Sequence, residues 1–107
     1  MMKPFQEPNL TMLTDFYELT MANGYFANGL GDTICYFDMF FRKVPDKGGF
    51  AIMAGVEQLV DYLKNLRFRE EDIEFLRQKH IFNREFLEYL RNFKFSCDVW
   101  AVPEGTP

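Results

Sequence analysis

Thr14-Asp15-Phe16-Tyr17-Glu18-Leu19-Thr20-Met21, followed by Thr33-Ile34-Cys35-Tyr36-Phe37-Asp38-Met39-Phe40-Phe41 and its ending Arg42-Lys43, decides how the chain is read. The first stretch predicts a helix opening at Asp15. A carboxylate at the cap accepts from the free backbone N–H groups of the first turn, and Glu18, three residues on, reaches back to the cap's own N–H. Phe16, Leu19, Ala22, Asn23 and Phe26 form one stripe, with Leu13, Tyr17 and Met21 as a second beside it. That is a wide face to bury, and Asn28-Gly29 supplies the stop. In a regular helix Asp15 and Tyr17 lie about 200° apart. A cap residue is not yet helical, so both can project from the helix N-terminus, the end that favours anions.

Residues 33–41 are aromatic and branched with one charge, Asp38, which suits a strand covered on both faces and central in its sheet. Residues 44–49 carry the Pro, Asp and paired Gly of a loop, and 50–54 resume as a second strand, together a hairpin. Val56, Leu59, Val60, Leu63 and Leu66 then mark the clearest amphipathic helix, expected to lay one face on the sheet. A shorter helix over 70–79 follows through Ile73 and Leu76, acidic in its first turn and ending on Arg77, Lys79 and His80, as the helix dipole prefers. Asn83 caps a third helix with Phe86, Leu87, Leu90 and Phe93 inward. Phe95, Cys97, Val99 and Ala101 alternate with Ser96, Asp98, Trp100 and Val102 as a last strand, stopped by Pro103-Glu104-Gly105-Thr106-Pro107. The expected fold is α+β: a small antiparallel sheet with helices packed on one side. Residues 1–10 read as an extended leader. The closing turn normally leads into another strand, so the sheet is expected to be cut there.

Composition narrows the function classes. With 48% hydrophobic residues and 13 Phe among 107 positions, the chain is too apolar for disorder. Net charge is −4, and the Lys and Arg are interspersed with acids, so the electrostatic footprint of a nucleic-acid binder is missing. Apolar stretches fall far short of the ~20 residues of a membrane span, and the first residues lack a signal-peptide core, so a cytoplasmic protein is expected. Cys35 and Cys97, without a CxxC spacing, read as buried thiols rather than a disulfide. His80 is the one histidine, with no ligand-spaced partner, and Gly48-Gly49 lies in no phosphate-loop pattern. Neither a metal site nor a complete catalytic set emerges. Taken alone, Tyr17 reads as a core residue with a satisfied hydroxyl, and Arg42-Lys43 as a strand returning to water. Successive strand residues face opposite ways, so Arg42 and Lys43 do not share a role.

Thr14 to Met21, Phe37 to Lys43, Gly48-Gly49-Phe50-Ala51-Ile52-Met53-Ala54-Gly55 and Val102 to Pro107 resemble, in order and without visible gaps, the N-terminal region of nicotinate phosphoribosyltransferase. Members are several times longer, so the resemblance implies that 1–107 is the N-terminal α+β domain of a longer enzyme whose catalytic barrel lies beyond Pro107. It implies the joining of nicotinate to phosphoribosyl pyrophosphate, with ATP hydrolysis coupled through a phosphorylated histidine. ATP and Mg2+ are then cofactors of the full enzyme, with none bound by this segment alone. It further implies a homodimer in which Tyr17 stacks on the pyridine of nicotinate in the neighbouring subunit's site and Arg42 faces that subunit's phosphates. Asp15 is either a cap alone or a cap that also orients the site. The rivals are a nicotinamide or quinolinate relative sharing this domain plan, and a free-standing binding module that adds the strand after Trp100 to a partner sheet.

Overall fold

Leu76 and Phe86, the largest side chains fully shut off from solvent, mark the centre of the core. The computed structural model describes residues 8–107. Its helices are α1 (Phe16–Ala27), α2 (Val56–Lys64), α3 (Glu70–Arg77) and α4 (Arg84–Arg91), with a 3-10 turn at Pro45–Lys47. The core draws Leu19 from α1, Ile73 and Leu76 from α3, and Phe86, Leu87 and Leu90 from α4. Met12, Ala22, Phe26, Phe68 and Phe82 pack around it. These are the inward positions that helical spacing predicts for α3 and α4.

Local chemistry sets the helix ends. At the close of α1 the Gly24 carbonyl accepts from both the backbone N–H (3.1 Å) and the side-chain amide (2.7 Å) of Asn28. Gly29 then takes a φ of +72°, and the Leu30 N–H closes on the Tyr25 carbonyl at 2.8 Å. α3 opens with the Asp72 carboxylate accepting the Arg69 N–H at 2.8 Å. The Arg91 guanidinium donates to Glu70 at 2.6 Å, joining α4 to α3, and this bond raises the Arg91 pKa above its ordinary value. Ahead of α1, the buried Thr11 hydroxyl donates to the Asn9 side-chain oxygen (2.6 Å) and accepts from the Arg67 N–H (3.1 Å). The Asn9 amide returns to the Arg67 carbonyl at 3.1 Å, closing a ring that ties the approach to α1 onto the α2–α3 connection.

The expected antiparallel sheet is not formed, and no strand occurs among the described residues. Residues 33–41, 50–54 and 95–102 carry no regular structure. In place of a 33–54 hairpin, residue 53 meets the closing turn: the Met53 N–H donates to the Thr106 carbonyl and the Met53 carbonyl accepts from the Gly105 N–H, both at 2.8 Å. The physical reason is that β-propensity measures fit to a paired, covered surface, and a run that is apolar on both faces needs an edge partner and a layer on each side. Four short helices have no such surface to offer. Tyr36, Phe37 and Trp100 are therefore 96%, 91% and 94% exposed. The Cα radius of gyration, 16.9 Å, exceeds the about 13 Å of a compact 100-residue chain.

Other expectations depended on the sheet and fall with it. Helix α2 buries no residue and packs on none of the other helices. Cys35 and Cys97 are unpaired, as expected, but exposed rather than buried. On α1 one stripe is used, while Leu13, Tyr17 and Met21 stay exposed, so the buried face is half the width expected. Of the leader 1–10, residues 1–7 lie outside the described residues. None of the described helices is long and apolar enough to cross a membrane.

Leu76→Ala should cost about 3–5 kcal/mol in urea denaturation, because it empties a site with no access to solvent. Leu59→Ala on α2 should cost only about 1 kcal/mol. Equal losses at the two positions would mean that α2 belongs to the core after all.

Candidate functional site

Two short backbone turns bring the chain into α1: the Leu13 N–H donates to the Leu10 carbonyl and the Thr14 N–H to the Met12 carbonyl, both at 2.9 Å. Asp15 follows at the cap with extended dihedrals (φ −71°, ψ 140°), and its own carbonyl accepts the Glu18 N–H at 3.1 Å, starting the helix. Its carboxylate makes no capping bond. The reciprocal half of the expected capping box is missing too, because the Glu18 carboxylate accepts from the Thr14 hydroxyl instead. Asp15 is thus a cap by backbone position only. Leu13, Thr14, Asp15 and Glu18 line an open depression of about 400 Å³ at this helix end.

Tyr17 lies one residue beyond the first turn's start and is 58% exposed. Its neighbour Phe16, itself 44% exposed, meets the Phe82 ring edge-on at 5.7 Å. The structure therefore brings Asp15 and Tyr17 to one helix end, with a free carboxylate and an open aromatic ring. Arg42 sits apart on the irregular segment, its guanidinium over the Phe40 ring at 5.9 Å from the centroid. Among the described residues no hydrogen bond or ion pair joins Arg42 to Asp15 or Tyr17. Among the described residues no three His, Cys, Asp or Glu converge as metal ligands.

One residue escaped the sequence reading. Glu104 reaches the start of α2, where its carboxylate oxygens accept the backbone N–H groups of Gly55 (2.7 Å) and Val56 (3.0 Å). Gly55 holds a φ of +99°, a conformation that side chains resist, and this turns its N–H beside that of Val56 toward one acceptor. The signal was present in what α2 lacks. A strongly amphipathic helix preceded by Ala-Gly, with no Ser, Thr, Asp or Asn to cap it, must find its acceptor elsewhere.

Residues 12–107 match the family described as nicotinate phosphoribosyltransferase (NAPRTase) N-terminal domain. The chain belongs to that family. Among nicotinate phosphoribosyltransferases, pncB2 of Mycobacterium tuberculosis is 42% identical over 95 residues, covering 89% of this chain and 20% of that protein. The Bacillus subtilis nicotinate phosphoribosyltransferase is 33% identical over 101 residues (94% of this chain, 21% of that protein). The Homo sapiens nicotinate phosphoribosyltransferase is 38% identical over 98 residues (89% and 18%). The chain thus spans about a fifth of the length of the curated relatives it matches.

In this N-terminal domain, Glu104→Ala leaves the Gly55 and Val56 amides without their acceptor. We expect α2 to lose about 1 kcal/mol, the usual worth of a cap, visible as faster hydrogen exchange over its first turn. Exchange unchanged from wild type would show that the cap carries no weight.

Proposed function

We propose that this chain acts as the N-terminal domain of an enzyme joining nicotinate to phosphoribosyl pyrophosphate, giving nicotinate mononucleotide and pyrophosphate with ATP hydrolysis coupled. The family match over residues 12–107 carries the reading, and the relatives' names favour nicotinate over nicotinamide or quinolinate as the acceptor. ATP and Mg2+ enter as cofactors of the whole enzyme, which works in the cytoplasm as a homodimer.

The domain's contribution in this reading is to hold substrates in place. Glycosyl transfer passes through a transition state with oxocarbenium character, in which the pyridine nitrogen, the anomeric carbon and the leaving pyrophosphate must be in line. Tyr17 supplies a flat face for the pyridine from a helix that is fastened through its neighbour Phe16, so little entropy is lost when the ring stacks. Asp15, unused as a side-chain cap, is available to orient the site beside it. Arg42 offers a planar fork of donors that matches phosphate oxygens in pairs, where Lys43 offers a point charge. Tyr17 and Arg42 serve the neighbouring subunit's site.

In the full-length enzyme, Tyr17→Phe should keep most activity, since the stacking face survives. Tyr17→Ala should raise KM for nicotinate about ten- to a hundredfold, with little change in melting temperature because the ring is already open to solvent. Mixed dimers of Tyr17→Ala chains with chains disabled in the barrel should regain one working site. Mixed dimers that form yet stay inactive would restrict Tyr17 to its own subunit.

Arg42→Ala should weaken phosphoribosyl pyrophosphate more than nicotinate, by the about 1.5–3 kcal/mol of a lost charged hydrogen bond, and Lys43→Ala should do less. Comparable losses from both variants would contradict the assignment of the phosphate contact to Arg42.

A further inference from the structure

We propose that Asn23 is a positioning residue, whose side-chain amide, together with Phe16, fastens α1 to the 81–83 turn and so sets the direction in which Tyr17 presents its ring. The proposal rests on the substrate-binding role of Tyr17.

Asn23 reads backbone rather than side chains. Its Oδ1 accepts the Asn83 N–H at 2.9 Å, and its Nδ2 donates to the Ile81 carbonyl at 3.5 Å. Those two groups flank Phe82, so the amide grips the main chain on both sides of one aromatic residue. The Phe82 ring is itself held between two helices: edge-on to Phe16 of α1 (5.7 Å, 85°) and stacked on Phe86 of α4 (6.1 Å, 19°). Asn83 occupies the N-cap of α4 without making a side-chain cap of its own, and its N–H finds its acceptor on α1 instead.

The spacing gives this contact its consequence. Phe16 and Asn23 are seven positions apart, two turns and about 10.5 Å along the axis, on nearly the same side of the helix. Alongside the core contacts of Leu19 and Phe26, two attachments this far apart along one side of the helix fix the tilt of its N-terminal half, where a single one would let it pivot. Tyr17 follows Phe16 directly, about 100° around the helix. Its exposed ring therefore takes its bearing from an attachment it does not itself touch. A leucine at position 23 would fill the same stripe but lose this attachment, because it cannot read the Ile81 carbonyl and the Asn83 N–H.

The experiment measures nicotinate kinetics and melting temperature on the full-length enzyme carrying Asn23→Leu, Asn23→Ala and Asn23→Asp, each alone and with Tyr17→Ala. Asn23→Leu and Asn23→Ala should raise KM for nicotinate about three- to tenfold, the size of one hydrogen bond's net contribution, with kcat within about twofold. Asn23→Asp keeps the acceptor for the Asn83 N–H and should recover most of the loss. With Tyr17→Ala present, the substitutions at 23 should have no further effect on KM, while any effect on melting temperature persists. An unchanged KM in both Asn23→Leu and Asn23→Ala, or a rise that multiplies with that of Tyr17→Ala, would overturn the positioning role and leave Tyr17's role standing. A Tyr17→Ala variant with unaltered KM would overturn the role of Tyr17 itself, and the proposal with it.

Discussion

Phe86 is the side chain on which the assembly turns. It is 1% exposed, and it meets Phe26 of α1 at 5.7 Å, Phe82 of the preceding turn at 6.1 Å and Tyr89 on its own helix at 6.4 Å. Helices of eight residues such as α3 and α4 are too short to persist in water by propensity alone, so they exist here because their apolar faces are mutually buried. The ion pairs around them, Arg91 with Glu70 and Arg77 with Glu74, lie at the surface and add little by comparison. With Phe86 in place, α1 has a surface to rest on, and everything borne at its N-terminus inherits that support.

The aromatic residues divide between the helical core and the long irregular segments. Phe26 and Phe86 on the helices, with Phe68 and Phe82 in the short connections before α3 and α4, are buried or half-buried, whereas Tyr17, Tyr25 and Phe75 lie on the outward faces of their helices and are exposed. Those on irregular backbone, including Phe37, Phe40, Phe41, Phe50 and Trp100, are exposed. A helix satisfies its own N–H and C=O groups and can be buried whole. A long irregular run leaves more of those groups without partners, which raises the cost of burying its side chains. Identical chemistry thus ends in different environments, according to the face a helix turns inward and the length of irregular backbone beneath the side chain.

That distinction also explains how much could be read in advance. Inward residues of α3 and α4, the stop at Asn28-Gly29 and the placement of Tyr17 on α1 are encoded within a few positions of each other, and periodicity reports them well. Strands at 33–41 and 95–102 were inferred from composition, but pairing is a property of two segments, and here no second segment is in place. The burial of Cys35 and Cys97 was inferred from those strands and failed for the same reason. Asp15 was placed correctly as a cap residue, yet its side chain is not used, since its carbonyl begins the helix and Thr14 engages Glu18. Asn23 reads from the sequence only as a member of the α1 stripe. Its partners lie 58 and 60 positions away, beyond any local pattern.

The carboxylate of Glu104 and the amide of Gly55 are 49 positions apart, and α2, α3 and α4 all lie within the loop that their contact closes. Closing a flexible loop costs chain entropy that grows with the logarithm of its length, whereas α3 and α4 meet across a few residues at almost no such cost. Chain entropy therefore favours the helical pair forming before the 55–104 contact. Once formed, the helical pair shortens the effective span between positions 55 and 104, which lowers the entropy cost of the Glu104 contact that closes the ring. Reversal follows the opposite order: the ring can spring open and reclose without disturbing Phe86, releasing residues 53–56 and 103–106 as one cooperative unit while the helical core stays intact.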